Sequence, residues 1–469
     1  MRTISSTTSR YLLGALFLVP TAGPVHAQFG SYSAYSTGQY AIPSDVAVGD
    51  VNGDGWLDVV AAHATPATVG VLLGQAGGGF ATLATYASNA FTGSQKVVLG
   101  DVNRDGRLDI VTSSRDNDEV GVLIGQAGGF AAVVNYPTGR ATSPADVALG
   151  DVNSDGWPDI VTVNTGSVGV LLGQVGGFAS VIPYAISPGL GPRALALGDM
   201  NGDGQLDIVT VNSYAQSIGV LLGQAGRFAA ETLYPVGTGN SPGGVALGDV
   251  NKDGHLDIVT AVQNGSTSQA VVLLGQASGG FSPRVTSGPY YISFNRVALG
   301  DTNGDGWLDL VATATPSHAV GVMLGQAAGI FAAPTFYSVG ALSGPVAVAL
   351  SDLNRDGRPD IVTANLFATG GSVGVLLNST PLASAVEWSA ARLQLWPNPA
   401  TGQVQLLSRG GGTATLFDAQ GRVVASQLLP QSSVPTTSAF SLTHITPGLY
   451  LMLVQPAVGA PLRQSLWVE

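Results

Sequence analysis

Cysteine is absent from the 469 residues, and with it any disulfide framework, thiolate metal site or cysteine nucleophile. Lysine is nearly absent, Lys96 and Lys252 being the only two. Charged residues make up 10% of the chain, and 30 Asp and Glu against 18 Lys and Arg leave a net charge of -12. A nucleic-acid binder needs a basic face, which this balance excludes. Long apolar runs are missing too. No stretch comes closer to a membrane span than the nine residues Tyr11 to Val19, where a crossing helix needs about 20. A disordered acidic chain is equally excluded, because 45% of the residues are hydrophobic.

What is abundant is glycine, 65 residues, set among short apolar runs. At the N-terminus, Arg2 and Arg10 precede the run Tyr11 to Val19, and Val25-His26-Ala27 offers a small-residue cleavage site. This is the pattern of a secretory signal peptide over residues 1–27. An exported chain without disulfides needs another way to hold itself together.

Beyond it the chain repeats. The string Asp-x-Asn-x-Asp-Gly-x-x-Asp starts at Asp50, Asp101, Asp151, Asp199, Asp249, Asp301 and Asp352, in steps of 51, 50, 48, 50, 52 and 51 residues. Around each copy lie β-prone runs bounded by Gly, Pro and Asn. One precedes the motif (Val147-Ala148-Leu149-Gly150), one follows it (Ile160-Val161-Thr162-Val163), and a third has the form Val-Gly-Val-Leu-Leu-Gly-Gln (Val69 to Gln75). A fourth opens with Phe and carries Tyr six residues on, as in Phe130 and Tyr136. Four short strands per repeat of about 50 residues, with no helical period, predict a seven-bladed β-propeller over residues 28–380. The seventh repeat stops after Val373 to Asn378 and lacks the Phe-to-Tyr run, whereas Phe29 and Tyr35 stand before the first motif. The N-terminal strand should therefore complete the last blade and close the ring.

Within the motif, position 3 is Asn52, Asn103, Asn153, Asn201, Asn251, Asn303 and Asn354. Position 5 is Asp54, Asp105, Asp155, Asp203, Asp253, Asp305 and Asp356, and position 9 is Asp58, Asp109, Asp159, Asp207, Asp257, Asp309 and Asp360. With the first Asp of each loop, these alternate oxygen side chains suit a hard cation such as Ca²⁺, which takes six to eight oxygen ligands. Glycine at position 6 permits the sharp turn. Position 7 would offer only its carbonyl, so its identity should be free: it is Trp56, Arg107, Trp157, Gln205, His255, Trp307 and Arg358. An EF-hand is excluded, since it needs flanking helices and a Glu at position 12. Turn formation alone explains the glycine and one acid, not three Asp and an Asn in every copy. The loops hold 21 of the 30 acidic residues, and up to seven Ca²⁺ would bring +14 against the net -12.

The unit Asp-Val-Asn-Gly-Asp-Gly-Trp-Leu-Asp (Asp50 to Asp58), followed by Val-Gly-Val-Leu-Leu-Gly-Gln and Gly-Gly-Phe, resembles the FG-GAP or VCBS repeat of integrin-α propellers and many exported bacterial proteins. The resemblance implies a seven-bladed fold with calcium between the first two strands of each blade. Residues 381–391 read as a linker. Residues 392–469 form short β-runs broken by Pro397-Asn398-Pro399-Ala400-Thr401-Gly402, Asp418-Ala419-Gln420-Gly421-Arg422 and Thr446-Pro447-Gly448, which predicts a small Ig-like β-sandwich. Those turns, with Leu449-Tyr450-Leu451 after the last, resemble the type A C-terminal sorting domain of the type IX secretion system. That implies the secretion machinery as a partner and a secreted or outer-membrane-surface location. The terminus departs from the family, which often has basic residues there; here Arg463 is the nearest.

Catalytic residues are scarce. Outside the loops the propeller's acids are Asp45, Asp116, Asp118, Glu119, Asp146 and Glu231, and no nucleophile elbow, phosphate loop or zinc signature is present. Strand order puts the calcium loops on one face. The opposite face carries varied residues, among them Arg140, Arg193, Tyr290, Tyr291, Phe294 and Arg296, of types that suit a glycan or protein ligand. The expectation is an exported calcium-binding propeller acting in adhesion or in glycan or protein binding. The alternatives are a catalytic or accessory propeller of a polysaccharide-degrading system and a purely structural surface protein.

Overall fold

The computed structural model describes residues 27–468 except 39, 89–93, 188, 225, 238–240, 278, 283–284, 291, 342, 367–370, 381–393, 397–402, 409–411, 419–421, 430–435 and 457–461. The expected signal peptide, the linker, Tyr291 and the Pro397–Gly402 turn lie outside the described residues, save Ala27 at the leader's end. The chain divides into two units, Met1–Leu382 and Ala383–Glu469.

In the first unit the chain forms seven four-stranded antiparallel sheets. Their inner strands are Ile42–Gly49, Ser94–Gly100, Asp146–Gly150, Pro192–Gly198, Ser241–Gly248, Val297–Gly300 and Pro345–Ser351. Each inner strand packs against the next, and the last packs against the first, so the sheets stand as blades around a ring. The N-terminal strand Ser33–Ser36 pairs with Ser372–Leu376 as the outer strand of the seventh sheet. The strand missing at one end of the chain is thus supplied by the other.

Burial follows from this stacking. The second strands are buried through their first six residues, as in Asp159–Asn164, because a blade covers each of their faces. Outer strands such as Ile182–Ala185 have only one half-buried position, the tyrosine. The cores accordingly lie between blades: Val111, Val120 and Val122 of blade two meet Val147, Ile160 and Leu171 of blade three. Each such side chain stabilises the fold by roughly 1.5–3 kcal/mol on burial.

The Phe and Tyr of the repeat also act between blades. Tyr86 meets Phe130 edge-on at 5.3 Å between ring centres, and Tyr35, Tyr136, Tyr184, Tyr234 and Tyr337 meet Phe80, Phe178, Phe228, Phe281 and Phe29 in the same way. Such pairs contribute about 0.5–1.5 kcal/mol beyond their area. The glycines before Phe130 and Phe178 make room: a Cβ on Gly129 (φ 145°) would lie 2.4 Å from the Tyr86 hydroxyl, and one on Gly177 (φ 137°) 2.3 Å from that of Tyr136. Blade five has Ser287 instead of tyrosine, and its hydroxyl accepts the Phe331 N–H at 2.9 Å.

The second unit has one three-stranded and one four-stranded antiparallel sheet. Val404, Leu406 and Phe440 from the first share a core with Leu416, Met452, Val454 and Leu466 from the second. Two of the expected turns brace themselves: Asp418 accepts the Arg422 backbone N–H at 2.9 Å and its Nε–H at 2.8 Å. The Tyr450 hydroxyl donates to the Thr446 carbonyl at 2.7 Å.

Candidate functional site

The acidic loops join the inner and second strands of every blade, all at one end of the ring. In the first loop Asp50 accepts three backbone N–H groups, from Gly53 at 2.7 Å and Asp54 at 3.1 Å on Oδ1 and from Gly55 at 2.7 Å on Oδ2. The chain therefore winds around the first carboxylate. Asp54 Oδ1 accepts the Trp56 N–H at 2.8 Å, and the Asn52 amide donates to Asp54 Oδ2 at 2.9 Å. The other loops repeat these contacts, for example at Asp101, Asn103 and Asp105.

Position 9 differs from the rest. Asp58 is 0% exposed; its Oδ2 accepts the Val51 N–H at 2.8 Å, and its Oδ1 the Gly74 N–H at 2.7 Å. It braces the loop to the turn after the third strand. Asp109, Asp159, Asp207, Asp257, Asp309 and Asp360 do the same, the last with Asn378 in place of the glycine. Burial against neutral partners raises all seven carboxyls above the usual range, to about 6 for Asp309 and Asp360. The Asp at position 5 of the same loop adds repulsion in each. The donors are hard oxygens with a local deficit of positive charge, which fits Ca²⁺ chemically. Among the described residues, no three His, Asp or Glu side chains converge as a ready-made metal cluster.

Position 7 is less free than its backbone role implies. Arg104, at position 4 of the second loop, lies 5.2 Å over the Trp157 ring of the third. Lys252 lies 4.1 Å over Trp307, and Arg355 lies 4.3 Å over Trp56, which joins the seventh loop to the first. Tryptophan stands at position 7 wherever the preceding loop has a base at position 4. That pairing was present in the sequence, one repeat apart.

At the other end the inner strands surround a cavity of about 270 Å³. Five residues before each loop's first Asp stand Asp45, Lys96, Asp146, Ala194, Gly244, Arg296 and Ala347, all lining it. This register gathers the charges that the repeat left unexplained. Lys96 pairs with Asp45 at 2.9 Å. Asp146 accepts the N–H groups of Val147 at 2.9 Å and Leu195 at 3.2 Å; burial raises its carboxyl against the pull of Lys96 and Arg296. Arg296 Nη1 donates to the Gly243 carbonyl at 3.4 Å.

Of the residues expected on this face, Arg193 begins the fourth inner strand and Arg140 lies exposed in the connection into blade three. Tyr290 ends the outer strand of blade five, half-buried, its hydroxyl donating to the Ala332 carbonyl at 3.3 Å. Phe294 is a correction. It is 3% exposed, packed between Tyr290 and Phe336 over Gly321, so its apolar ring belongs to the core. The acidic run is structural as well: Asp118 accepts the N–H groups of Ala141 and Ser143 at 2.7 Å each, holding the connection into blade three.

Comparison with known proteins agrees with this architecture. A family described as FG-GAP-like repeat matches residues 50–112, 151–210 and 301–363, and one described as FG-GAP repeat matches 241–274. The secretion system C-terminal sorting domain matches residues 394–460. No curated protein matches the chain. Among solved structures it is similar to BBS1N in its complex with ARL6DN, at 11% identity and TM-score 0.51 over 76% of this chain and 98% of that one. The WD40 domain of Toxoplasma gondii coronin is similar at 9% identity and TM-score 0.52, over 76% of this chain and 87% of that one. Such likenesses concern the fold alone. The sorting domain implies handling by the type IX machinery and a secreted or cell-surface location, and no helix among the described residues is long and apolar enough to cross a membrane. The chain is thus built of FG-GAP repeats arranged as a β-propeller, followed by a secretion system C-terminal sorting domain.

Proposed function

We propose that this chain is an exported, calcium-stabilised binding propeller, with structural metal at the acidic loops and its ligand at the opposite face. The observation that carries the reading is a contrast. Seven loops repeat one set of oxygen donors, while the residues five positions upstream differ from blade to blade. Identical chemistry in every blade suits a task that every blade shares, which is holding its own strands. A recognition surface needs different side chains in different places. Ca²⁺ would be held by the Asp, Asn and Asp of positions 1, 3 and 5 and the carbonyl of position 7, with the buried Asp of position 9 behind them. The ion supplies charge compensation there, and the brace hydrogen bonds keep the loop's entry and exit together. With about 1 mM Ca²⁺ and sites of about 0.1 mM, each ion adds roughly 1.4 kcal/mol.

The test is a binding screen of the full chain against glycans and against host and matrix proteins, with Ca²⁺ and then with EGTA. Calcium-dependent binding that Arg193 or Arg296 substitutions abolish supports the reading. A folded, calcium-loaded sample that binds nothing sinks it in favour of a structural surface protein. Turnover of a polysaccharide would instead favour the catalytic alternative.

A further inference from the structure

The second and seventh loops carry the same charges. Both read Asp-x-Asn-Arg-Asp-Gly-Arg-x-Asp, from Asp101 to Asp109 and from Asp352 to Asp360, with bases at positions 4 and 7. Their position-4 arginines also behave alike, Arg104 and Arg355 each lying over a tryptophan of the following loop. Position 7 is where they part. Arg107 is exposed and forms no ion pair among the described residues. Arg358 is half-buried and turns back into its own loop, where Nη2 donates to Asp356 Oδ2 at 2.7 Å. Asp356 also accepts the Arg358 backbone N–H at 3.0 Å and the Asn354 amide at 3.1 Å. Among the described residues no other loop has an ion pair on its position-5 carboxylate. Gln205 in the fourth loop makes only a neutral contact there, at 3.4 Å.

The surroundings hold the Arg358 guanidinium in place. Its Nη1 donates to the Thr380 carbonyl. Thr380 is itself fixed, its hydroxyl accepting the Gln28 N–H at 2.7 Å and its own N–H donating to Asn378 at 2.9 Å. The Asn378 amide donates in turn to the carbonyls of Thr302 at 2.8 Å and Pro359 at 3.1 Å. Arg358 thus stands where the propeller's last residues meet Gln28, and it cannot swing into solvent without giving up both contacts. A guanidinium held on a carboxylate by a charge-assisted hydrogen bond already supplies the positive charge that a metal ion would bring to that oxygen. A divalent ion entering the loop must break that contact or share the carboxylate with a like charge. Arg107, exposed to water, is screened and can move away.

We propose that Arg358 serves as a resident cation of the seventh loop and makes it the weakest Ca²⁺ site of the ring, filled after the other six. The proposal rests on the reading of the loops as calcium sites and names the residue that tunes one of them. Ca²⁺ is titrated into the full chain, with native mass spectrometry counting bound ions and calorimetry giving their affinities. Six ions should bind first and the seventh about tenfold more weakly. Arg358→Gln should bring the seventh into the range of the rest, whereas Arg107→Gln should leave the weak step in place. Asp352→Asn should remove the weak step and keep six tight sites; Asp101→Asn should instead remove a tight one. Seven equal affinities overturn the proposal, as does a weak step that survives Arg358→Gln or Asp352→Asn. Should Arg358→Gln fail to fold, the Asp352→Asn titration decides alone, and loss of a tight ion there overturns the assignment. Seven equal sites leave the calcium reading standing, while no bound Ca²⁺ at all sinks both.

Discussion

The two ends of the propeller follow opposite rules. At the loop end every blade presents Asp, Asn, Asp and a buried Asp with the same hydrogen bonds, so a change in one blade has six controls beside it. At the channel mouth the equivalent position is Asp, Lys, Asp, Ala, Gly, Arg and Ala, with no two neighbouring blades alike. On the reading proposed above, the difference separates what the fold needs from what a ligand would need. A closed ring of blades requires each unit to hold its own loop, which selection can meet seven times in one way. A single ligand on the ring axis meets seven blades in seven orientations, so sevenfold identity would not serve it.

The largest expected effect falls on the loop end alone. Removing Ca²⁺ with EGTA should lower the melting temperature by tens of degrees, since seven sites at roughly 1.4 kcal/mol each approach the stability of an ordinary domain. Calorimetry with and without chelator checks this, and an unchanged melt breaks the comparison at its base.

Within the loops, position 9 should behave differently from position 5 once metal is absent. Asp309→Ala leaves the buried N–H groups of Thr302 and Gly325 without their acceptor, at about 1–3 kcal/mol each. Asp305 is exposed, so Asp305→Ala in EGTA should stay within about 0.5 kcal/mol. Denaturant unfolding in EGTA measures both; equal losses would mean that position 9 is not a brace.

At the mouth end a protonation effect is expected that no other blade shares. His63 is 0% exposed; its Nδ1 lies 2.9 Å from the Thr68 hydroxyl and its Nε2 has no partner. Burial lowers its pKa to about 4. The unfolded chain, with a histidine near 6.5, binds more protons than the folded one between those values. Stability from this residue is therefore complete above pH 6.5 and is lost as pH falls towards 4, by on the order of 3 kcal/mol. Asn164, Asn212 and Asn365 occupy the same place in other blades, so His63→Asn should fold. The difference in unfolding free energy between the two proteins, followed from pH 7 to 4.5, should shift in the variant's favour. A constant difference would mean that the imidazole is not held neutral.

Much of the ring was legible in the sequence because repetition exposes it. The 21-residue spacing of Phe29 from Asp50 matched the interval in later blades and identified the closing strand. The brace at position 9 was not legible, since its partners Val51 and Gly74 contribute only backbone N–H groups, which carry no residue signature. Phe294 was misplaced because exposure in a connecting loop depends on packing against Tyr290 and Phe336, and those contacts have no fixed spacing. The charges of the mouth had a signal after all, five residues before each loop, visible only when repeats are aligned on their inner strands.

The smallest expected effect sharpens the comparison most, because it asks whether identical loops act independently. Arg104 with Trp157, Lys252 with Trp307 and Arg355 with Trp56 connect neighbouring loops in three of seven junctions. A cation over a solvent-accessible tryptophan contributes about 0.5–1 kcal/mol. A double-mutant cycle on Arg104→Ala and Trp157→Ala should therefore give a coupling of that size, against none for Ser154→Ala with Gln205→Ala at the next junction. Arg355 with Trp56 has a further consequence, since it spans the junction between the seventh blade and the first, where the ring closes. There the same coupling should also slow unfolding if the seventh blade opens first, whereas the Arg104 pair inside the chain should not. Equal effects at both junctions would mean that the ring unfolds as one body, and no coupling at either would leave the seven loops independent.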